Sequence, residues 1–102
     1  MINRLFKICL QKLRNLVLGD FRSKKLSQII VNKVIKYNKQ KFIRILDYGT
    51  GYQPKVVHFV YEQLVNVYKK KIIIDCYDFY SKKDLKRLNN WKNKDIFFYN
   101  IN

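Results

Sequence analysis

Three short apolar runs, Phe42 to Asp47, Ile72 to Tyr77 and Asp95 to Tyr99, alternate with two stretches that read as helices. Val57, Val60, Tyr61, Leu64 and Tyr68 fall on one side of a helix over Val56 to Tyr68. Ser81-Lys82-Lys83-Asp84 fits the Ser/Thr-x-x-acid capping pattern and opens a short helix to about Asn90. The order strand, helix, strand, helix, strand requires crossover connections, which are right-handed and build a parallel sheet. Ile72-Ile73-Ile74-Asp75-Cys76-Tyr77 is nearly continuous in apolar character, as a strand buried on both faces is.

Two helices are expected ahead of this unit. Ile2, Leu5, Phe6, Cys9, Leu13, Leu16 and Val17 form an amphipathic stripe that Gly19-Asp20 ends. Basic residues flank the stripe, so residues 2–17 either dock on the domain's own core or lie on a membrane surface; docking is the preferred reading. A second helix is expected from about Ser23, as N-cap, to Tyr37, with Leu26, Ile29, Ile30, Val34 and Tyr37 facing inward. The fold expected is therefore α/β, a partial Rossmann-like parallel sheet of about three strands preceded by two helices. Residues 1–40 form the N-terminal helical segment and 41–102 the Rossmann-like region, within one structural domain.

The composition narrows the function classes. No apolar run approaches the roughly 18 residues of a membrane span, and Gln11, Lys12 and Arg14 interrupt residues 1–18 as a secretory signal. The expectation is a cytoplasmic protein. Cys9 and Cys76 are far apart and do not cluster with His58, so no metal site and two reduced core thiols are expected. His58 lies off the best apolar stripe and reads as a surface residue rather than a base. The formal charge of +15 has two readings: attraction to nucleic acid or anionic lipid, or a lysine-rich composition without such a site. Lysine far outnumbers arginine and is spread along the whole chain, which favours the compositional reading.

The chemistry-bearing segment is Ile43-Arg44-Ile45-Leu46-Asp47-Tyr48-Gly49-Thr50-Gly51. It holds two of the chain's three glycines, directly after a strand and an acid. Glycines there let the backbone turn tightly and pass close to a ligand. Ligands of open α/β sheets bind beyond the carboxyl ends of the strands, where Asp47 and Asp78 both fall. A carboxylate at the second strand end suits a ribose diol, and two acids disfavour a phosphate lying directly on them. Tyr48 and Tyr52 flank the glycines, where they either touch the ligand or cover the loop. Pro54 suits the first turn of the following helix.

Ile45-Leu46-Asp47-Tyr48-Gly49-Thr50-Gly51 resembles the first motif of class I S-adenosylmethionine-dependent methyltransferases, an acid followed by Gly-x-Gly. Tyr77-Asp78-Phe79 resembles the family's second motif, an acid closing the second strand. The likeness spans about residues 42–80. It implies S-adenosylmethionine as cofactor and methyl transfer by in-line displacement. It also implies that Gly49 and Gly51 pass the methionine portion, Asp47 supports the loop and the cofactor amino group, Asp78 binds the ribose hydroxyls and Phe79 packs on adenine. Asn100 and Asn102 fall near where some members hold the adenine amino group. Where the family often has a third glycine this chain has Gln53, then Pro54. The stretch from Gly51 to Asp78 is long, so an extended helix is expected between them.

The family's fourth strand, which carries the motif nearest the transferred methyl and pairs with the open side of the first, has no counterpart here. Phe42 to Leu46 is thus expected to be an exposed apolar edge, so that the chain is either the front half of a longer protein or pairs that edge with another chain. The alternatives to a methyltransferase, or its cofactor-binding part, are a non-catalytic basic module that binds nucleic acid and a peripheral membrane protein anchored by residues 2–17.

Overall fold

The computed structural model describes residues 21–51 and 53–101. Residues 21–37 are helical (α1). They are followed by β1 (Phe42–Tyr48), α2 (Lys55–Glu62) with a π-helical turn (Gln63–Val67), and β2 (Lys71–Asp78). Then come α3 (Lys82–Arg87), a 3-10 turn (Leu88–Trp91) and β3 (Ile96–Asn100). The amphipathic stripe at residues 2–17, its Gly19-Asp20 stop, Cys9, Tyr52 and Asn102 lie outside the described residues.

The sheet is parallel with strand order β1-β2-β3. Tyr48 pairs with Tyr77, and Tyr77 with Tyr99, so the three strands end level with one another. The alternation along the strands separates two faces. Ile43, Ile72, Ile74, Cys76 and Ile96 pack with Val31 of α1 and Val57, Val60 and Leu64 of the second helix into one buried cluster. Crossovers of one hand in one direction put both connecting helices on that face. The polar clamps agree: Tyr61 donates to Asp95, and His58 Nε2 lies 2.9 Å from the Trp91 carbonyl oxygen. No helix among the described residues is long and apolar enough to cross a membrane.

Five local expectations need correction. The buried face of α1 is Ser27 and Val31 with Ile30, Val34 and Ile35 beside them, whereas Leu26, Ile29 and Tyr37 are exposed. Ser27 is buried because its hydroxyl is satisfied within the helix, donating to the Lys24 carbonyl at 2.7 Å. Helix already includes Phe21 and Arg22, so Ser23 lies inside α1 and is no cap. The helix after the glycine loop does not stay α-helical. Its last turn opens to a π turn, with the Tyr68 N–H donating to the Gln63 carbonyl. The extra residue in that turn shifts the helical phase, so Val65 packs on the core and Tyr68 is turned out. Lys69 then reverses the chain at φ 55, a left-handed conformation that usually falls to glycine.

His58 is not a surface residue. It is half-buried, its ring meets Trp91 edge-on at 5.1 Å, and its Nε2–H donates to the Trp91 carbonyl, tying α2 to the 3-10 turn. Pro54 precedes the helix instead of opening it. At φ −80 and ψ 58 it centres an inverse γ-turn, closed by the Lys55 N–H on the Gln53 carbonyl at 2.8 Å. The capping box at Ser81 and Asp84 forms as expected. Its hydrogen bonds from Ser81, backbone first, hold the Asp84 carboxyl below its ordinary range.

Candidate functional site

The carboxyl end of the sheet gathers Asp47, Tyr48, Gly49, Gly51, Asp78 and Phe79. Gly49 and Gly51 adopt φ 78 and φ 74, and a Cβ added at either would meet nothing within 4 Å. Glycine is there for the backbone conformation and leaves open space over the loop. The Gly49 N–H donates to the Tyr77 carbonyl at 2.7 Å, which carries the β1–β2 ladder one step past the strand.

Each acid holds the loop from one side. Asp47 Oδ2 accepts the Thr50 hydroxyl at 2.8 Å. Asp78 Oδ2 accepts the Gly51 N–H at 2.8 Å and its Oδ1 accepts the Phe79 N–H at 2.7 Å. The Asp78 carbonyl in turn accepts the N–H groups of Tyr80 and Ile101, both at 3.0 Å. A carboxylate oxygen can accept more than one hydrogen bond, so a bound diol would share Asp78 with the loop. Phe79, beside it, is 70% exposed and free to lie against a flat ring.

Two supporting residues escape a motif reading. Tyr80 is buried, and its hydroxyl donates to the Gly51 carbonyl at 2.7 Å, so the second glycine is held at both its N–H and its C=O. Burial pushes the Tyr80 hydroxyl up to about 12 and keeps it a donor. Its signal in sequence was an aromatic two residues past a strand-end acid, with a polar tip that needs a partner once buried. Thr50 is the other, bridging the Asp47 carboxylate and carbonyl. Asn100 stands nearby, its Oδ1 accepting the Tyr80 N–H at 3.2 Å.

Tyr48 is 67% exposed and stacks on Tyr77 with ring centroids 5.3 Å apart. Asp47 points the other way, into a small pocket of about 60 Å³ that Ile30, Ile45, Val56, Val57, Val60 and Ile74 also line. That pocket is too small for a nucleoside. A larger concavity of about 450 Å³ lies between α1 and α2, lined by Lys24, Ser27, Gln28, Phe59, Glu62 and Gln63, and shares no residue with the strand ends. Neither hollow is the open space over the glycine loop, where Asp47, Gly49, Gly51 and Asp78 gather. Matched against protein-family models and against curated proteins, the chain finds no counterpart.

Proposed function

We propose that the β1–α2 loop and the end of β2 form the S-adenosylmethionine site of a methyltransferase or of its cofactor-binding part. One observation carries the reading: two left-handed glycines with open space above them, the second clamped by its N–H to the carboxylate that closes the neighbouring strand. That arrangement fits a nucleoside whose diol meets Asp78 and whose tail crosses the glycine backbone. A phosphate would meet two carboxylates instead, which disfavours a dinucleotide or triphosphate. When bound, the sulfonium cofactor supplies an activated methyl group. The chain's own contribution is placement, with Asp78 for the ribose, Gly49 and Gly51 for close backbone approach, Phe79 for the adenine face, and Asp47 with Thr50 to keep the loop in shape. Catalysis of this kind rests largely on positioning, so it requires few acid–base residues of the chain.

Calorimetry with S-adenosylmethionine and with its demethylated product tests the reading on protein shown to be folded by circular dichroism. Saturable heat is expected, reduced by Asp78→Asn. No heat at ligand on the order of 1 mM, where even about 4 kcal/mol of affinity registers, would sink it.

A further inference from the structure

The face of the sheet opposite the helices is aromatic. Phe42, Leu46 and Tyr48 of β1, Tyr77 of β2, and Phe97 and Tyr99 of β3 alternate out of the core. Tyr48, Tyr77 and Tyr99 stand side by side at paired positions, their rings stacked at 5.3 and 4.9 Å. Phe97 and Tyr99 remain 40% and 39% exposed, although β2 and β3 are hydrogen-bonded neighbours. All the described helices pack on the other side.

Two features decide what such a face takes. Its one carboxylate among the described residues, Asp75, is 3% exposed and receives the Arg44 Nε–H at 2.7 Å, so its charge is neutralised beneath the rings. Its Oδ1 has no hydrogen-bond partner among the described residues. Arg44 itself is largely exposed and Lys71 is the neighbouring cation at the strand start, in a chain of formal charge +15. A second copy would bring the same excess of positive charge against this one. A polyanion meets the opposite situation. Charge alone selects nothing, since lysine is spread along the whole chain; the rings add the selection. Aromatic side chains on an open sheet are stacking platforms for unpaired bases, while surrounding cations hold the phosphates.

We infer that this face binds single-stranded nucleic acid, with bases against Phe97 and the outer faces of Tyr48 and Tyr99, and with the backbone held by Lys71 and by the guanidinium N–H groups of Arg44 that Asp75 does not take. Duplex, whose bases are already stacked on one another, would gain only the charge term. The inference is independent of the cofactor reading, because the rings point away from the helix side of the sheet and Asp78 takes no part.

The test is fluorescence anisotropy of the full chain with a labelled single-stranded RNA oligonucleotide, and with the same oligonucleotide in a duplex, between about 50 and about 200 mM salt. Single strand is expected to bind more tightly than duplex at every salt, with affinity falling as salt rises. Phe97→Ala and Tyr99→Ala are each expected to weaken single-strand binding roughly five- to hundredfold, the range for losing a stacked base. Tyr99→Phe keeps the ring and should bind like the wild type, and Lys83→Ala on α3 should leave the single-strand preference intact. Ultraviolet crosslinking of the wild type, mapped to β1 and β3 by mass spectrometry, covers the case in which an alanine variant does not fold. Equal affinity for duplex and single strand with no effect of the ring substitutions would overturn the proposal, as would no binding at low salt. Sedimentation as a dimer that Leu46→Glu dissociates without changing oligonucleotide affinity would assign the face to a second copy and overturn it too. Phe97→Ala should leave calorimetric binding of the demethylated cofactor unchanged, so the two readings fail separately.

Discussion

Asp78→Ala removes one acceptor shared by two backbone N–H groups, and the structure says which loss matters. The Phe79 N–H at 2.7 Å is exposed, so water replaces the carboxylate and little is lost. The Gly51 N–H at 2.8 Å is partly buried under the loop, and stranding it costs about 1–3 kcal/mol. A destabilisation of about 2 kcal/mol is expected, equivalent to a fall in Tm of roughly 8–16 °C for a domain of this size. Asp78→Asn keeps one oxygen as acceptor and should lose about half as much. Urea melts followed by circular dichroism measure this, with the slope of stability against urea unchanged so that only the native state is affected. A loss below about 0.5 kcal/mol for Asp78→Ala, inside the usual range of a neutral surface change, would refute the claim that this carboxylate holds the glycine loop.

Gly51→Ala should destabilise by about 1 kcal/mol through its left-handed backbone alone, since the new Cβ meets nothing; thermal melts will show it, with ligand binding falling further because the methyl enters the open space. Lys69→Gly should raise stability by about 0.5–1 kcal/mol in the same assay, because Lys69 holds φ 55 without a glycine's freedom. Leu64→Ala should cost about 3 kcal/mol, as expected for a fully buried leucine, and a loss under 1 kcal/mol would mean the π turn relaxes around the cavity. Cys76, whose thiol burial pushes up to about 12, should resist iodoacetamide in folded protein near pH 8 and react once urea unfolds it, as read by peptide mass mapping. The hydrogen bond to Asp95, with burial behind it, pushes the Tyr61 hydroxyl up from its ordinary 10.0 to about 12. Because the folded value is the higher one, its share of stability is complete below pH 10 and is lost as pH rises through 12. Asp95→Asn should bring the Tyr61 titration, followed by NMR, back toward 10.

The parts of the fold that were legible in sequence are those where one period dominates. β2 announced itself by a nearly continuous apolar run and became the central strand. Gly49 and Gly51 announced a turn that side-chain-bearing residues avoid, and both take positive φ. Legibility failed where two phases compete or where the determinant is a distant partner. In α1, apolar residues surround the axis, and the buried phase runs through Ser27, which looks polar until its hydroxyl bonds back to Lys24. After Glu62 the π turn shifts the phase by one residue, so Tyr68 leaves the stripe and Val65 enters it. Nothing local to His58 foretells Trp91, which lies 33 residues on.

Asp78 shows how the same limit bears on function. As a sequence feature it is a strand-end acid and reads as a ligand contact. In the fold it is first a structural acceptor, because the Gly51 N–H would otherwise point at nothing. The two roles are compatible, since an oxygen that orders a loop by one lone pair has another to offer. They make opposite demands on a variant, however. Loss of ligand binding in Asp78→Ala would follow equally from a collapsed loop and from a missing ribose acceptor. Asn at the same position separates them: one carbonyl oxygen can still take the Gly51 N–H, while the charged acceptor is gone. If Asp78→Asn keeps most of the stability yet loses the nucleoside, the acid is there for the ligand. If stability and binding fall in the same proportion, its work is to hold the glycines, and any ligand is recognised by the backbone they expose.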